Sequence, residues 1–323
     1  MNDFQKAEYL YNRAVNLSIN DNDLDMVIDW PESSLSALWA CADQVRRHFF
    51  SDTVTPCSIM NVKSGGCTED CAFCAQSRHH ETGVPVRPLA TVDEIVAACA
   101  IARKNKCEFC VVSSGRRLST ADVDRIADAV RECGGGLHAS LGILSERDFS
   151  VLREAGVVCY NHNLETSRNY FPRIVSTHTW DEREATVRAA KKSGMKVCCG
   201  GIFGIGEDWG DRKSLCHALR DLDVDTIPLN FFNPIQGTRA AAPAETPLEF
   251  LKVISLFRMA LPAKVIKACG GREFHLGKLQ PLMFLAGANG YISGGYLTTS
   301  GDGFESDDSL VHMMGLRKTN DSE

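Results

Sequence analysis

Apolar positions along the chain follow two periods that take turns. Short β-rich runs at 53–62, 108–113, 137–143, 157–162, 196–202, 226–230, 264–268 and 290–297 predict eight strands, and longer stretches with helical spacing lie between most of them. Helix starts are legible. Thr91 with Glu94 predicts a capping box ahead of Ile95, Val96, Cys99 and Ile101, and Thr179 with Glu182 repeats it. Thr246-Pro247-Leu248-Glu249 adds proline at the first helical position. Gly156 and Gly194 follow helical runs, where a left-handed closing residue is expected. Strand–helix alternation predicts parallel strands, and eight of them predict a closed (β/α)8 barrel of the TIM type, with a doubly wound open sheet as the rival. Residues 1–50 read as an N-terminal helical extension, 51–310 as the barrel, and 311–323 as a polar, loose tail.

The 323 residues carry a net charge of −6 without a dense Lys/Arg run, so the electrostatic footprint of a nucleic-acid binder is missing. The longest apolar runs, such as 282–288, are too short to span a bilayer. The opening "MNDFQKAEYLYNRAV" lacks the basic-then-apolar layout of a signal peptide, and a cytoplasmic location is expected. Fourteen cysteines are many for such a chain. In a long chain with no export signal they read as thiolate ligands together with small buried residues rather than as disulfides. Cys41, Cys99, Cys133, Cys159 and Cys216, in apolar contexts, read as the inert kind.

The segment "SGGCTEDCAFCAQS" (64–77) sets Cys67, Cys71 and Cys74 in one loop after the first strand, at the barrel end where such folds carry chemistry. Structural zinc takes four ligands, usually in two paired knuckles, and no second knuckle follows. A 4Fe–4S cluster suits three thiolates, since each binds one iron and the fourth iron stays open to a substrate. A zinc site or a plain electron-transfer cluster are the alternatives.

Cx3CxxC with Phe73 before the last cysteine resembles the signature of radical S-adenosylmethionine (SAM) enzymes. "CTEDCAFCAQS", "LSE", "YNHNLETS", "KVCCGGIFGIGE", "PLNFF", "GGRE" and "MFLAGANGYISGGYLTT" resemble, in that order, segments of the biotin synthase family over roughly residues 50–300. The resemblance implies a 4Fe–4S cluster on Cys67, Cys71 and Cys74, whose open iron chelates SAM and whose electron yields a 5′-deoxyadenosyl radical. It implies SAM contacts from Asn163, Glu165 and Arg183, and dethiobiotin contacts from Asn161, Asn163 and Asn230, whose amides match a ureido ring. The "GIFGIGE" backbone is expected beside the adenine. It further implies sulfur insertion into dethiobiotin, a flavodoxin or ferredoxin donor, and a homodimer. A relative acting on another substrate, as in hydrogenase maturation, and a non-enzymatic iron–sulfur carrier are the competing functions.

The resemblance also implies an auxiliary 2Fe–2S cluster deep in the barrel, held by three cysteines and an arginine and serving as sulfur source. Cys110, Cys198 and Arg272, assigned to strands two, five and seven, take three of its positions, but the strand-three position in "GLHASLG" has no cysteine, and His138 is nearest in register. Cys107, Cys199 and Cys269 lie close by in sequence. Strand alternation allows only one of Cys198 and Cys199 to face inward, and sets Cys269 and Arg272 on different faces, unless the chain kinks. An auxiliary cluster of altered ligation, of 2Fe–2S or higher nuclearity, is therefore expected.

Overall fold

The computed structural model describes residues 1–241 and 244–319. Strands β1 (Thr53–Lys63), β2 (Glu108–Ser113), β3 (Leu137–Ser140), β4 (Val157–Asn161), β5 (Lys196–Cys198), β6 (Gly201–Phe203), β7 (Thr226–Phe231), β8 (Val265–Ala268) and β9 (Gly290–Ile292) pair in parallel, and β1 pairs with β9 to close the ring. β5 and β6 hold one register against β7, Cys198 facing Thr226 and Gly201 facing Leu229, so together they form one stave of an eight-stave barrel. The barrel, rather than the open sheet, is the fold.

Local chemistry sets the helix starts. Capping boxes form at Thr91, Thr179 and Thr246, each threonine accepting from the backbone N–H three residues on while the glutamate returns the bond. Gly156 ends its helix at φ 107°, a conformation a side chain disfavours. The N-terminal extension consists of helices Asp3–Val15, Asp21–Ile28 and Leu35–Phe50, and these contact the barrel helix Pro247–Ala260.

Three expectations change. The eighth strand stops at Ile292, and residues 293–300 turn back through a bridge between Gly295 and Ser300. The seventh stave ends at Ala268, with "GG" at 270–271 turning the chain, so Arg272 opens a short helix (Arg272–Leu276) instead of lying on a strand. Finally, the tail is not loose through residue 319. The helix Phe304–Met313 buries Val311, and β10 (Arg317–Lys318) pairs with β1, tied by Arg317 to Asp52 at 2.9 Å and by Lys318 to the Asn105 carbonyl at 3.0 Å. Polar residues there make specific bonds, which composition does not reveal. The last residues of the expected tail, 320–323, lie outside the described ones.

Candidate functional site

Residues paired across parallel strands point to the same side, and side chains alternate along each strand. Ile59, Val112, Ser140, Asn161, Pro228 and Ile292 all line one cavity of about 440 Å³ at the carboxyl ends of the staves. Every second residue from these therefore faces the barrel interior, which divides the site into a mouth and a floor.

At the mouth, Cys67, Cys71 and Cys74 all line the cavity, as do Asn161, Asn163, Glu165, Arg183 and Asn230. Gln76 ties the cysteine loop to β1 by accepting from Asn61 Nδ2 and the Gly65 N–H, at 3.0 and 3.1 Å. The two carboxylates between the first cysteines anchor its other side. Asp70 accepts from the Ser176 hydroxyl and from the Ser176 and Thr177 N–H groups. Burial alone would raise its pKa, but these bonds outweigh it and hold the carboxyl well below its usual range. Glu69 accepts from His178 Nδ1 at 2.5 Å, and His178 Nε2 accepts from Arg183 Nε at 3.0 Å. The arginine donates at Nε, so the histidine must carry its proton on Nδ1. Burial and the adjacent Arg183 keep its pKa below the ordinary value against the pull of Glu69.

Arg183 also donates to the Asn163 carbonyl at 2.9 Å and lies 3.5 Å from Glu165 Oε1, the pair being nearly buried. Burial raises the Glu165 pKa, with Arg183 opposing. Glu165 holds φ at +70°, rare for a non-glycine residue and a form of strain concentrated at functional sites. The opposing Gly201 explains how it fits, because a Cβ there would stand 2.5 Å from the Glu165 carbonyl oxygen. Asn163 Oδ1 accepts from the Gly200 N–H, and Asn230 bridges Gly270 N–H and the Gly201 carbonyl. The asparagines thus hold neighbouring backbone in place as well as lining the cavity.

Burial pushes the Cys71 thiol up to about 12 and raises Cys74, so without a metal both stay protonated. Among the described residues the three loop thiols are not within reach of one common ion, whereas Cys57, Glu108 and His138 are, with ligand atoms inside 4.8 Å. Three thiols spread around a cavity fit the corners of a cluster and argue against a single zinc.

The floor lies one inward step below the cavity lining. Cys57 precedes Ile59, Cys110 precedes Val112, His138 precedes Ser140 and Cys159 precedes Asn161 by two residues each, and Cys198 pairs with Asn161. Lys267 pairs with Pro228 and donates to Glu108 at 2.5 Å. Burial disfavours its ammonium, but Cys57, Glu108 and Cys198 outweigh that and raise its pKa above the ordinary lysine value. Burial lowers the His138 pKa to about 4 and raises the Cys57 and Cys159 thiols to about 11 and 12.

Two of the expected auxiliary positions, Cys110 and Cys198, do face this floor, and so does His138. Arg272 does not. Its guanidinium is buried against Asp307 and Glu273 and sits over the Tyr291 ring, on the side of β9 opposite Ile292. The physical reason is the glycine turn after β8, which carries Arg272 out of the strand and into reach of the C-terminal helix. Alternation turns Cys199 outward, where it joins the apolar core, and Cys107 packs there too. Cys57, Glu108 and Lys267 face the same floor, as does Cys159, which the sequence places among the inert cysteines. Strand parity was the available signal, since Cys159 stands two residues from Asn161. His178 carried no signal in sequence at all.

The chain matches the Radical SAM superfamily over residues 61–219 and the Biotin and Thiamin Synthesis associated domain over 228–317. A biotin synthase of Desulfatibacillum aliphaticivorans is 46% identical over 307 residues, covering 94% of each chain. One from Geobacter sulfurreducens is 46% identical over 318 residues, covering 96% of each. Among solved structures, methylornithine synthase superposes with TM-score 0.84 at 21% identity, covering 96% of this chain and 97% of that one. The FeFe-hydrogenase maturase HydG from Carboxydothermus hydrogenoformans gives 0.80 at 12% identity, covering 98% and 80%. The two structural likenesses speak for the fold, and the two sequence relatives, with matches across both halves of the barrel, for the family. The chain belongs to the biotin synthase family of radical SAM enzymes.

Proposed function

We propose that the chain converts dethiobiotin to biotin by inserting one sulfur atom between two unactivated carbons. The observation that supports this reading is one cavity with a three-thiol loop at its mouth and a set of buried thiols on the inward face beneath its lining, which the reading takes as radical source and sulfur store. The 4Fe–4S cluster, when bound by Cys67, Cys71 and Cys74, supplies the electron that cleaves SAM to a 5′-deoxyadenosyl radical, and an auxiliary iron–sulfur cluster at the floor supplies the sulfur. Two C–H bonds break and two C–S bonds form, each hydrogen leaving on 5′-deoxyadenosine and the one electron released per C–S bond from sulfide being taken up by ferric iron of the cluster that would supply it, so two SAM molecules are consumed per biotin.

The chain's own residues bind and orient. Arg183 presents a charge-assisted donor to the SAM carboxylate, and Glu165 accepts from ribose hydroxyls. Asn163 contacts both SAM and dethiobiotin, and Asn161 and Asn230 present amide edges to the ureido ring, whose N–H and C=O groups need acceptors and donors. The apolar walls at Ile59, Val112 and Ile292 take the aliphatic part of the substrate and exclude water from the radical. Electrons come from a flavodoxin or ferredoxin, and the enzyme acts as a cytoplasmic homodimer. No helix among the described residues is long and apolar enough to cross a membrane.

Anaerobic incubation with SAM, dithionite and dethiobiotin tests the proposal. Biotin with 5′-deoxyadenosine supports it. Deoxyadenosine without biotin points to another substrate, and neither product points to a carrier.

A further inference from the structure

The auxiliary ligand set of three cysteines and an arginine does not fit this barrel. Arg272 is spent on Asp307 and Glu273 at the far side of β9, and β3 offers His138. The floor offers instead an excess of thiols. Of the buried cysteines, Cys41, Cys71, Cys99, Cys107, Cys133, Cys199 and Cys216 belong to the contiguous apolar core, whereas Cys57, Cys110, Cys159, Cys198 and Cys269 stand apart from it.

We infer that the floor holds an iron–sulfur cluster bound entirely by thiolates, those of Cys57, Cys110, Cys159 and Cys198, with Lys267 as the cation beside it and Arg272 taking no part. This rests on the proposed function and deepens it by naming the ligands of the sulfur store. Strand register carries it. Cys110 pairs with Ile59, two residues after Cys57, and Asn161, two residues after Cys159, pairs with Cys198. Ile59 and Asn161 line the cavity, so all four thiols share the inward face of four different staves. Four thiolates complete the ligand shell of a two-iron or four-iron cluster without help from any arginine. Cys269 is the spare, since β8 ends at Ala268 and this thiol stands past the stave.

Lys267 has a definite place in this arrangement. Four thiolates bring excess negative charge into a dry barrel, where an unpaired charge is strongly disfavoured, and a fixed ammonium offsets part of it. The same ammonium argues against the simpler occupant. Cys57, Glu108 and His138 are close enough to share one divalent ion, but Glu108 is held by Lys267, so that ion would face a positive charge and lose its only carboxylate.

A Cys67→Ala, Cys71→Ala, Cys74→Ala triple variant isolates the floor. Reconstituted anaerobically with iron and sulfide, it is expected to retain iron and acid-labile sulfide and to give the Mössbauer spectrum of sulfur-ligated iron. Adding Cys57→Ser, or separately Cys159→Ser, is expected to remove most of that iron or shift its spectrum. Adding Arg272→Gln together with Asp307→Asn and Glu273→Gln, which removes both ion pairs without stranding a charge, leaves both unchanged. Circular dichroism of each cluster-free protein separates a lost ligand from a lost fold, and the two serine variants on different strands guard against failure of one. A triple variant with no floor iron, one binding zinc without sulfide, or iron lost in the Arg272 variant but kept in both folded serine variants, overturns the inference. Deoxyadenosine without biotin from an enzyme whose floor cluster obeys this pattern would sink the proposed function alone. Biotin formed by a folded protein whose floor iron ignores Cys57 and Cys159 would sink the ligand assignment alone.

Discussion

The mouth and the floor of this barrel use the same side chain for opposite structural problems. At the mouth, three thiols come from eight consecutive residues, and a loop must be held still to present them, which is done by carboxylates within the loop reaching Ser176, Thr177 and His178. At the floor, each thiol comes from a separate strand, and the sheet itself fixes it. A loop site can be rebuilt by local sequence change, whereas a floor site depends on the register of the whole ring. Under the proposed function, metal chemistry that must admit a cosubstrate sits on the loop, and a sulfur store that must stay dry sits on the staves.

Removing one loop thiolate separates the two regions most sharply. Cys71→Ala is expected to reduce SAM cleavage to background while the floor iron and its spectrum persist. Loss of both signals together would show that the two sites are one cooperative unit. Next in size, Arg183→Met strips a buried charge-assisted donor from the mouth. Such bonds are worth about 1.5–3 kcal/mol, so SAM affinity should fall roughly 10- to 100-fold, read by titrating SAM against the spectrum of the reduced cluster.

A smaller effect tests how far the loop depends on its anchors. His178→Ala breaks the Glu69–His178–Arg183 chain, and a loss of about 1–1.5 kcal/mol should weaken SAM binding about tenfold with the floor spectrum unmoved. His178→Gln, which can still donate and accept, should recover part of it. Equal defects in both variants would mean that Arg183 needs no support.

The smallest effect is on stability. His162 lies just under the mouth, and burial, with Arg183 and His178 nearby, places its folded pKa well below the ordinary histidine value. The unfolded chain then takes up the extra proton as pH falls through about 6.5. Stability contributed by the neutral ring is thus complete above that pH and declines below it, by at most about 1.4 kcal/mol per pH unit. Urea midpoints of the cluster-free protein at pH 7.5 and 5.5 should show the decline, and His162→Asn should reduce it, the remainder coming from His138 and His178, whose folded pKa values are lowered too. An unchanged slope would move the acid sensitivity to another group, such as His138 at the floor.

The mouth was largely legible in the chain because its chemistry is local. Cysteine spacing, the "YNHNLETS" run and Arg183 each lie on short continuous stretches, and the structure gathers all of them around one cavity. The floor was legible only in part. Cys110 and Cys198 do share the inward face, but Arg272 follows a strand that stops four residues earlier, and Cys159, expected among the inert cysteines, shares that inward face as well. An apolar context looks the same on the inner and outer faces of a barrel strand, so composition could not sort the cysteines.

By itself the sequence determined the alternation of strands and helices, the caps that start the helices, and the three-thiol loop, because each depends on residues within a few positions of one another. Only the tertiary structure decided which cysteines meet, where Arg272 goes, and that Lys267 lies among thiols. Those outcomes depend on strand register and on where a glycine turn ends a strand, and a single residue of slip in either reverses which side of the wall a side chain faces.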